Sequence, residues 1–290
     1  MGPIGGREMA SGKKRKPKKS ARASSVKKAS RVQKSKIISR EVPGVAGMDV
    51  SAYGEVAIPH LQGLIELNRT VMESLVGRLV KDVRAGRSLF VFGSGHSSIL
   101  PLELYHRAGG ASFVVPVVAD FLMPQAGPPV VRVLERMSGL TSTLLRRAAP
   151  RKGETLWLMS QSGINGAAID LALEAKALGM HTVAWTSRVH SSAVQSRHPS
   201  GKRLFEVCDE TIDLGGRIGD ACVEVVPGVQ AGPLSTLGAV LLGHSILVAA
   251  CGRLEALGHR SVYTSVNTPE GEARNRSLEA EASLRDSLLL

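Results

Sequence analysis

At 290 residues and 43% hydrophobic content, the chain can bury one sizeable core, with room for only a small second domain. Its formal charge of +12 is local: fourteen of the 37 Lys/Arg, from Arg7 to Arg40, stand in residues 1–40 against Glu8 alone, which leaves 41–290 at −1. No apolar run of membrane-spanning length and no signal-peptide core are evident, and Cys208, Cys222 and Cys251 lack disulfide or metal spacing, so a reducing cytoplasmic setting with no metal is expected.

Residues 1–47 are rich in Lys, Ser and Pro and too poor in large apolar side chains to pack, so they read as a disordered basic arm. Three readings of that arm stay open: a solvated tail, a phosphate-seeking segment for nucleic acid or an anionic surface, or sequence ahead of a true start at Met48. After a linker over 43–51, the apolar spacing from Val56 to Val83 predicts a long helix. Ser88–Phe92 reads as a strand, with a helix following over Ile99–Ala108. Further strands are predicted at Phe113–Val118, Leu156–Met159, His181–Thr186 and Glu210–Leu214. Helices are predicted at Val130–Arg147, Ala167–Leu178 and Thr236–Leu257, the last so continuously apolar that it must be buried. Strands alternating with helices predict a parallel α/β sheet.

Two connections stand out. Gly93-Ser94-Gly95-His96-Ser97-Ser98 and Ser160-Gln161-Ser162-Gly163-Ile164-Asn165-Gly166 each end a strand and open a helix. Such loops aim backbone N–H groups and hydroxyls at a pocket and remove Cβ atoms that would block close approach, which suits an oxyanion such as phosphate. Neither is a nucleotide P-loop, since GxxxxGK[ST] is absent; the dinucleotide fingerprint fails because Ser98 stands where its third glycine belongs. The plainer alternative is that these polar residues only cap the helices that follow.

Together these loops resemble the sugar isomerase (SIS) domain, and Ser160-Gln-Ser-Gly163 is identical to the tetrapeptide in the isomerase half of glucosamine-6-phosphate synthase. Tyr105-His-Arg-Ala-Gly-Gly110, Leu134-Glu-Arg-Met137 with Gly139, Ser196-Arg-His-Pro-Ser-Gly-Lys202, Gly219-Asp-Ala221, Gly232-Pro233 with Ser235-Thr236, and Ser265-Val-Asn267 with Asn275 extend the likeness. They are similar to the compact single-SIS-domain proteins that include N-acetylglucosamine-6-phosphate dehydratase. The resemblance implies a three-layer α/β sandwich, a parallel sheet of about five strands flanked by helices, over 48–275, with 276–290 left as a tail. It also implies a sugar-phosphate ligand, no cofactor, and a homodimer in which the long first helix packs on a second subunit, with an ordinary core helix as the open alternative for that element.

The same resemblance nominates the site. Gly95, His96, Ser97, Ser160, Gln161, Ser162 and Asn165 would hold the phosphate or touch the sugar, with Asp220, Ser235 and Thr236 at the rim. Aldose–ketose isomerisation and dehydration both begin by moving a proton next to a carbonyl, which needs a tuned general base. Glu103, six residues beyond Ser97, matches the dehydratase-like relatives, whereas several SIS enzymes place a glutamate at the position of Arg107. His198 and His244 are the further acid–base candidates; a structural histidine is the plainer reading of each. The expected function is an enzyme isomerising or dehydrating a sugar or amino-sugar 6-phosphate. Two alternatives accompany it: a non-catalytic sugar-phosphate sensor, and a nucleic-acid-associated protein acting through the basic arm.

Overall fold

The computed structural model describes residues 48–286, with side chains through 280; the expected arm over 1–47 lies outside the described residues. Five strands, β1 (Leu89–Gly93), β2 (Val114–Val117), β3 (Thr155–Met159), β4 (His181–Thr186) and β5 (Glu210–Asp213), form a parallel sheet in the order β2-β1-β3-β4-β5. The expected α/β sandwich is present. The chain leaves β1 for β2 on one side and then returns to β3 on the other, so strand order reverses between β1 and β3. Open α/β sheets bind ligands beyond the carboxyl edge at such a reversal. Both nominated loops arise there, because Gly93 and Met159 are paired at the ends of neighbouring strands.

The strands are apolar on both faces because helices cover both. Leu89, Val91, Trp157, Met159, Val183 and Trp185 face one core, while Phe90, Phe92, Leu156, Leu158 and Ala184 face the other. The first core is closed by α1 (Ala52–Arg84), α2 (Ile99–Leu104) and α8 (Ser235–Ala256). The Trp157 and Trp185 rings meet within it, tilted at 43° with centroids 4.7 Å apart. The second core is closed by α4 (Ser142–Arg147), α5 (Gly166–Ala177) and α7 (Leu204–Val207). Asn68 is a buried polar residue on α1 with a clear purpose. Its side chain donates to the Asp213 carbonyl at 2.9 Å and accepts from the Asp213 N–H at 2.8 Å, which satisfies the end of edge strand β5.

Several expectations need correction. The helix expected over 130–147 is two, α3 (Pro128–Leu134) and α4, divided where Gly139 takes φ +83°. The helix expected to reach Ala108 stops at Leu104, where Tyr105 turns extended and His106 adopts φ +37°. A short helix α6 (Arg188–Ala193), a hairpin of β6 (Ala221–Val226) and β7 (Val229–Pro233), and a last helix α9 (Pro269–Asp286) were not anticipated. The boundary drawn at 275 falls inside α9, whose Leu278 is buried. One apolar run does reach membrane-spanning length: α8, 22 residues with a mean hydropathy of 1.7 in its most apolar window. Half of that window is buried against the rest of the protein, which accounts for the composition as that of a core helix.

Candidate functional site

Beyond the carboxyl ends of β1 and β3 lies a cavity of about 450 Å³. The first loop supplies Ser94, Gly95, His96 and Ser97 to its wall, and the second supplies Ser160, Gln161, Ser162 and Asn165. Tight backbone packing shapes both loops. A Cβ at Gly93 would lie 2.1 Å from the Ser97 carbonyl oxygen, and one at Gly163 would lie 2.7 Å from the Thr186 hydroxyl. Within the second loop, the Gly163 N–H donates to Ser160 Oγ at 3.2 Å, and the Gln161 carbonyl accepts from the Thr186 hydroxyl and the Ser187 N–H.

Asn165 occupies the N-cap position of α5 without capping it: its Oδ1 accepts from Arg197 Nη1 at 2.8 Å. The α5 N-terminus is in part occupied from elsewhere, since the Ala167 N–H donates to the backbone carbonyl of Glu135 at 3.0 Å. The loop therefore presents fewer free helix N–H groups to the cavity than its pattern predicts, and its side chains carry more of the wall.

The third wall is the segment around α3, through Pro124, Pro128, Val131, Arg132, Glu135 and Arg136. It packs against α5 only because residue 166 is glycine. A Cβ there would lie 2.6 Å from the Met137 carbonyl oxygen and 2.9 Å from that of Arg136. This contact brings Glu135 to the cavity, where its carboxylate accepts from the Ser94 hydroxyl at 3.3 Å. Desolvation pushes the Glu135 carboxyl above the ordinary glutamate range, against the opposing pull of the Ser94 hydroxyl, the charges of Arg136 and Arg197, and the Asn165 amide. A carboxyl so tuned can hold or release a proton nearer neutrality. Glu135 belongs to a motif noted in the sequence, but no periodicity there indicates which way it points.

Asp220 and Ser235 line the cavity. Asp220, at φ +70°, accepts from the Leu234 and Ser235 N–H groups at 3.2 and 2.9 Å and from the Ser235 hydroxyl at 2.6 Å. It thereby holds the start of α8. His190, on α6, lines the cavity without having been nominated.

Four nominated residues do not line it: Glu103, His198, His244 and Thr236. Glu103 and His244 do meet each other, Nε2 to Oε1 at 3.2 Å, and Arg107 pairs with the same carboxylate. Burial and the Arg107 charge hold His244 below the usual histidine value, so this contact is one of a neutral imidazole at pH 7. His198 is almost fully enclosed and is bound to Asp170 at 2.9 Å and Ser200 at 2.7 Å. Asp170 also accepts from the Gly139 N–H, so His198 ties its loop to α5 and the α3–α4 link. Thr236 lies in the first turn of α8, beside Ser235 but outside the lining. Among the described residues no group of three His, Cys, Asp or Glu side chains is placed to hold a metal ion. Burial raises the Cys208 thiol to about 12 and the Cys251 thiol to about 11, well away from nucleophile chemistry.

Residues 52–187 match the SIS domain family. The chain is 34% identical over 232 residues to a UPF0309 protein of Shouchella clausii, spanning 79% of this chain and 94% of that one. A UPF0309 protein of Oceanobacillus iheyensis is 36% identical over 225 residues, 74% of this chain and 92% of its own. Among solved structures, a phosphoheptose isomerase from Francisella tularensis aligns with a TM-score of 0.47 at 14% identity, over 70% of this chain and 96% of its own.

Proposed function

The chain belongs to the UPF0309 family and carries a SIS domain, and on that footing we propose that its cavity binds a sugar or amino-sugar 6-phosphate and moves a proton next to the sugar carbonyl. The hydroxyls of Ser97, Ser160 and Ser162 suit a phosphate, and Arg132 and Arg136 in the same wall balance the charge of its dianion. Asp220 and Ser235 are left for sugar hydroxyls, because the Asp220 carboxylate repels an oxyanion.

The observation that carries the reading is Glu135: a carboxyl raised by desolvation, oriented by Ser94, in the wall of a cavity edged by two anion-suited loops. Isomerisation and dehydration both start by removing a proton beside a carbonyl, and a base poised nearer neutrality does this best. Glu135 therefore takes the role that the resemblance gives to Glu103, which is engaged with Arg107 and His244 outside the cavity wall. A homodimer belongs to the same proposal; Leu237 and Val248, eleven residues apart and so on one face of α8, are both exposed.

Proton NMR in D₂O with fructose 6-phosphate, glucosamine 6-phosphate and N-acetylglucosamine 6-phosphate tests the reading. Solvent exchange beside the carbonyl is expected, at C2 of the two amino sugars and at C1 of the ketose, reduced at least ~10²-fold in Glu135→Gln and retained in Glu103→Gln. The product formed separates isomerase from dehydratase. Ligand binding with neither exchange nor turnover reassigns the cavity to effector sensing, and no binding of any phosphosugar sinks the proposal.

A further inference from the structure

We propose that Gln161 and His190 form a subsite for the neutral body of the ligand, not for its phosphate, and that it takes a group able both to donate and to accept hydrogen bonds. The inference rests on the phosphosugar reading and refines it.

The Gln161 backbone is fixed by the Thr186 hydroxyl and the Ser187 N–H on its carbonyl, so the loop leaves the side chain little freedom to look elsewhere. Its amide Oε1 and Nε2 are both shielded from solvent, and neither has a hydrogen-bond partner among the described residues. The residue lines the cavity, and Gly216 comes up behind it, close enough that a Cβ would lie 3.7 Å from Nε2. Two orphaned polar atoms on one buried amide are an uncommon cost in a folded protein, and they call for a partner that supplies both hydrogen-bond senses.

A phosphate dianion offers acceptors only. It can satisfy Nε2, but it leaves Oε1 unmet or facing another negative oxygen. Exchanging the amide oxygen and nitrogen only exchanges the problem. Neighbouring sugar hydroxyls satisfy both atoms, and so does an acetamido group through its N–H and C=O.

His190 makes the same demand independently. It lines the cavity, and its Nδ1 is shielded with no partner among the described residues. Its backbone N–H is held by the Ser187 hydroxyl at 3.1 Å, which sets the first turn of α6. A neutral imidazole nitrogen donates or accepts according to tautomer, so a hydroxyl or an amide suits it as well. The cationic side chains of the wall, Arg132 and Arg136, come from the α3 segment, a different part of the chain from the one that carries Gln161 and His190.

Calorimetric titration of the full chain decides the matter, with inorganic phosphate, glucose 6-phosphate and N-acetylglucosamine 6-phosphate run against wild type, Gln161→Met and His190→Phe. Each variant is expected to weaken sugar-phosphate binding about 10- to 100-fold while changing phosphate binding less than about 3-fold. Gln161→Met is also expected to unfold at or above the wild-type temperature, since it removes orphaned polar atoms from the interior. The sugar phosphate with the larger loss tells hydroxyls from acetamido, and either pattern supports the subsite. An equal loss for inorganic phosphate makes Gln161 a phosphate ligand and overturns the inference, as does no loss at all. A wild type that binds none of the three compounds removes the phosphosugar reading itself, and this subsite with it.

Discussion

The Ser94 hydroxyl donates to the Glu135 carboxylate across 41 residues of sequence, joining the loop after β1 to the end of α3. The bond partly offsets a larger desolvation that raises the carboxyl. Between the ordinary glutamate value, about 4.3, and the raised one, the folded protein keeps a proton that the unfolded chain has lost. Stability therefore falls as pH rises through that window. Glu135→Gln cannot ionise, so its unfolding temperature should exceed that of wild type at pH 7, and the difference should vanish below about pH 4. Thermal melts from pH 3.5 to 8 check this. A constant difference across the range would mean that packing, not ionisation, is responsible.

Arg107 and His244 contest one carboxylate, that of Glu103. Replacing Arg107 with Met removes a nearby positive charge and returns the carboxylate to the imidazole. Both changes favour the protonated ring, so the His244 pKa should move upward from its depressed position. Titration of its ring proton by NMR in wild type and Arg107→Met measures the shift, and a downward movement would contradict the assigned causes.

Asp220 serves α8 as a cap while holding a positive φ that only glycine adopts freely. Asp220→Ala loses the cap and keeps the backbone cost, so it should destabilise by about 1–2 kcal/mol. Asp220→Gly loses the same carboxylate but relieves the backbone, and should recover up to about 1 kcal/mol of that. Denaturant melts of the two variants should therefore rank glycine above alanine, the reverse of the usual order.

Gly166 and Gly77 make a contrasting pair. Gly77 is exposed within α1 with nothing inside 4 Å of a Cβ, so Gly77→Ala should stabilise by about 0.5–1 kcal/mol. Gly166→Ala forces backbone apart at residues 136 and 137 and should cost about 1–3 kcal/mol. It should also move Glu135, which the loss of its coupling to the Ser94 hydroxyl in NMR would register.

Val248→Glu places a charge on the exposed face of α8. If the proposed homodimer forms through this face, light scattering should show a dimer for wild type and a monomer for the variant, and an unchanged mass would remove this face from the proposed interface.

The sheet was legible because a strand covered on both faces must be apolar throughout, as in Leu156–Met159 and Phe90–Phe92. The hairpin escaped because Val226, Val229 and Gln230 are exposed and leave no buried stripe, although Pro227-Gly228 between β-rich residues is a turn signal. Helix α9 is polar on most sides, and only Thr268-Pro269-Glu270 announces its start. The loop residues of the site were legible because glycines and hydroxyls at strand ends have few other uses. Glu135 and His190 were not. Their place in the wall depends on how α3 sits on α5 and on the turn after β4, which are long-range packing relations with no local period. Glu103 and His244, both nominated from the family, meet each other but lie outside the cavity wall.

Two parts of the cavity wall differ in origin. One part grows directly from the ends of β1 and β3 and shares their register, so a change there disturbs the centre of the molecule. The other runs from Pro124 to Arg136, with Gly127 at φ +95° inside it and Gly139 at φ +83° just beyond it, and meets the sheet's supporting helix through the glycine at 166. One short stretch of chain, docked at a single glycine, thus carries both the proposed base and the cationic charge of the wall.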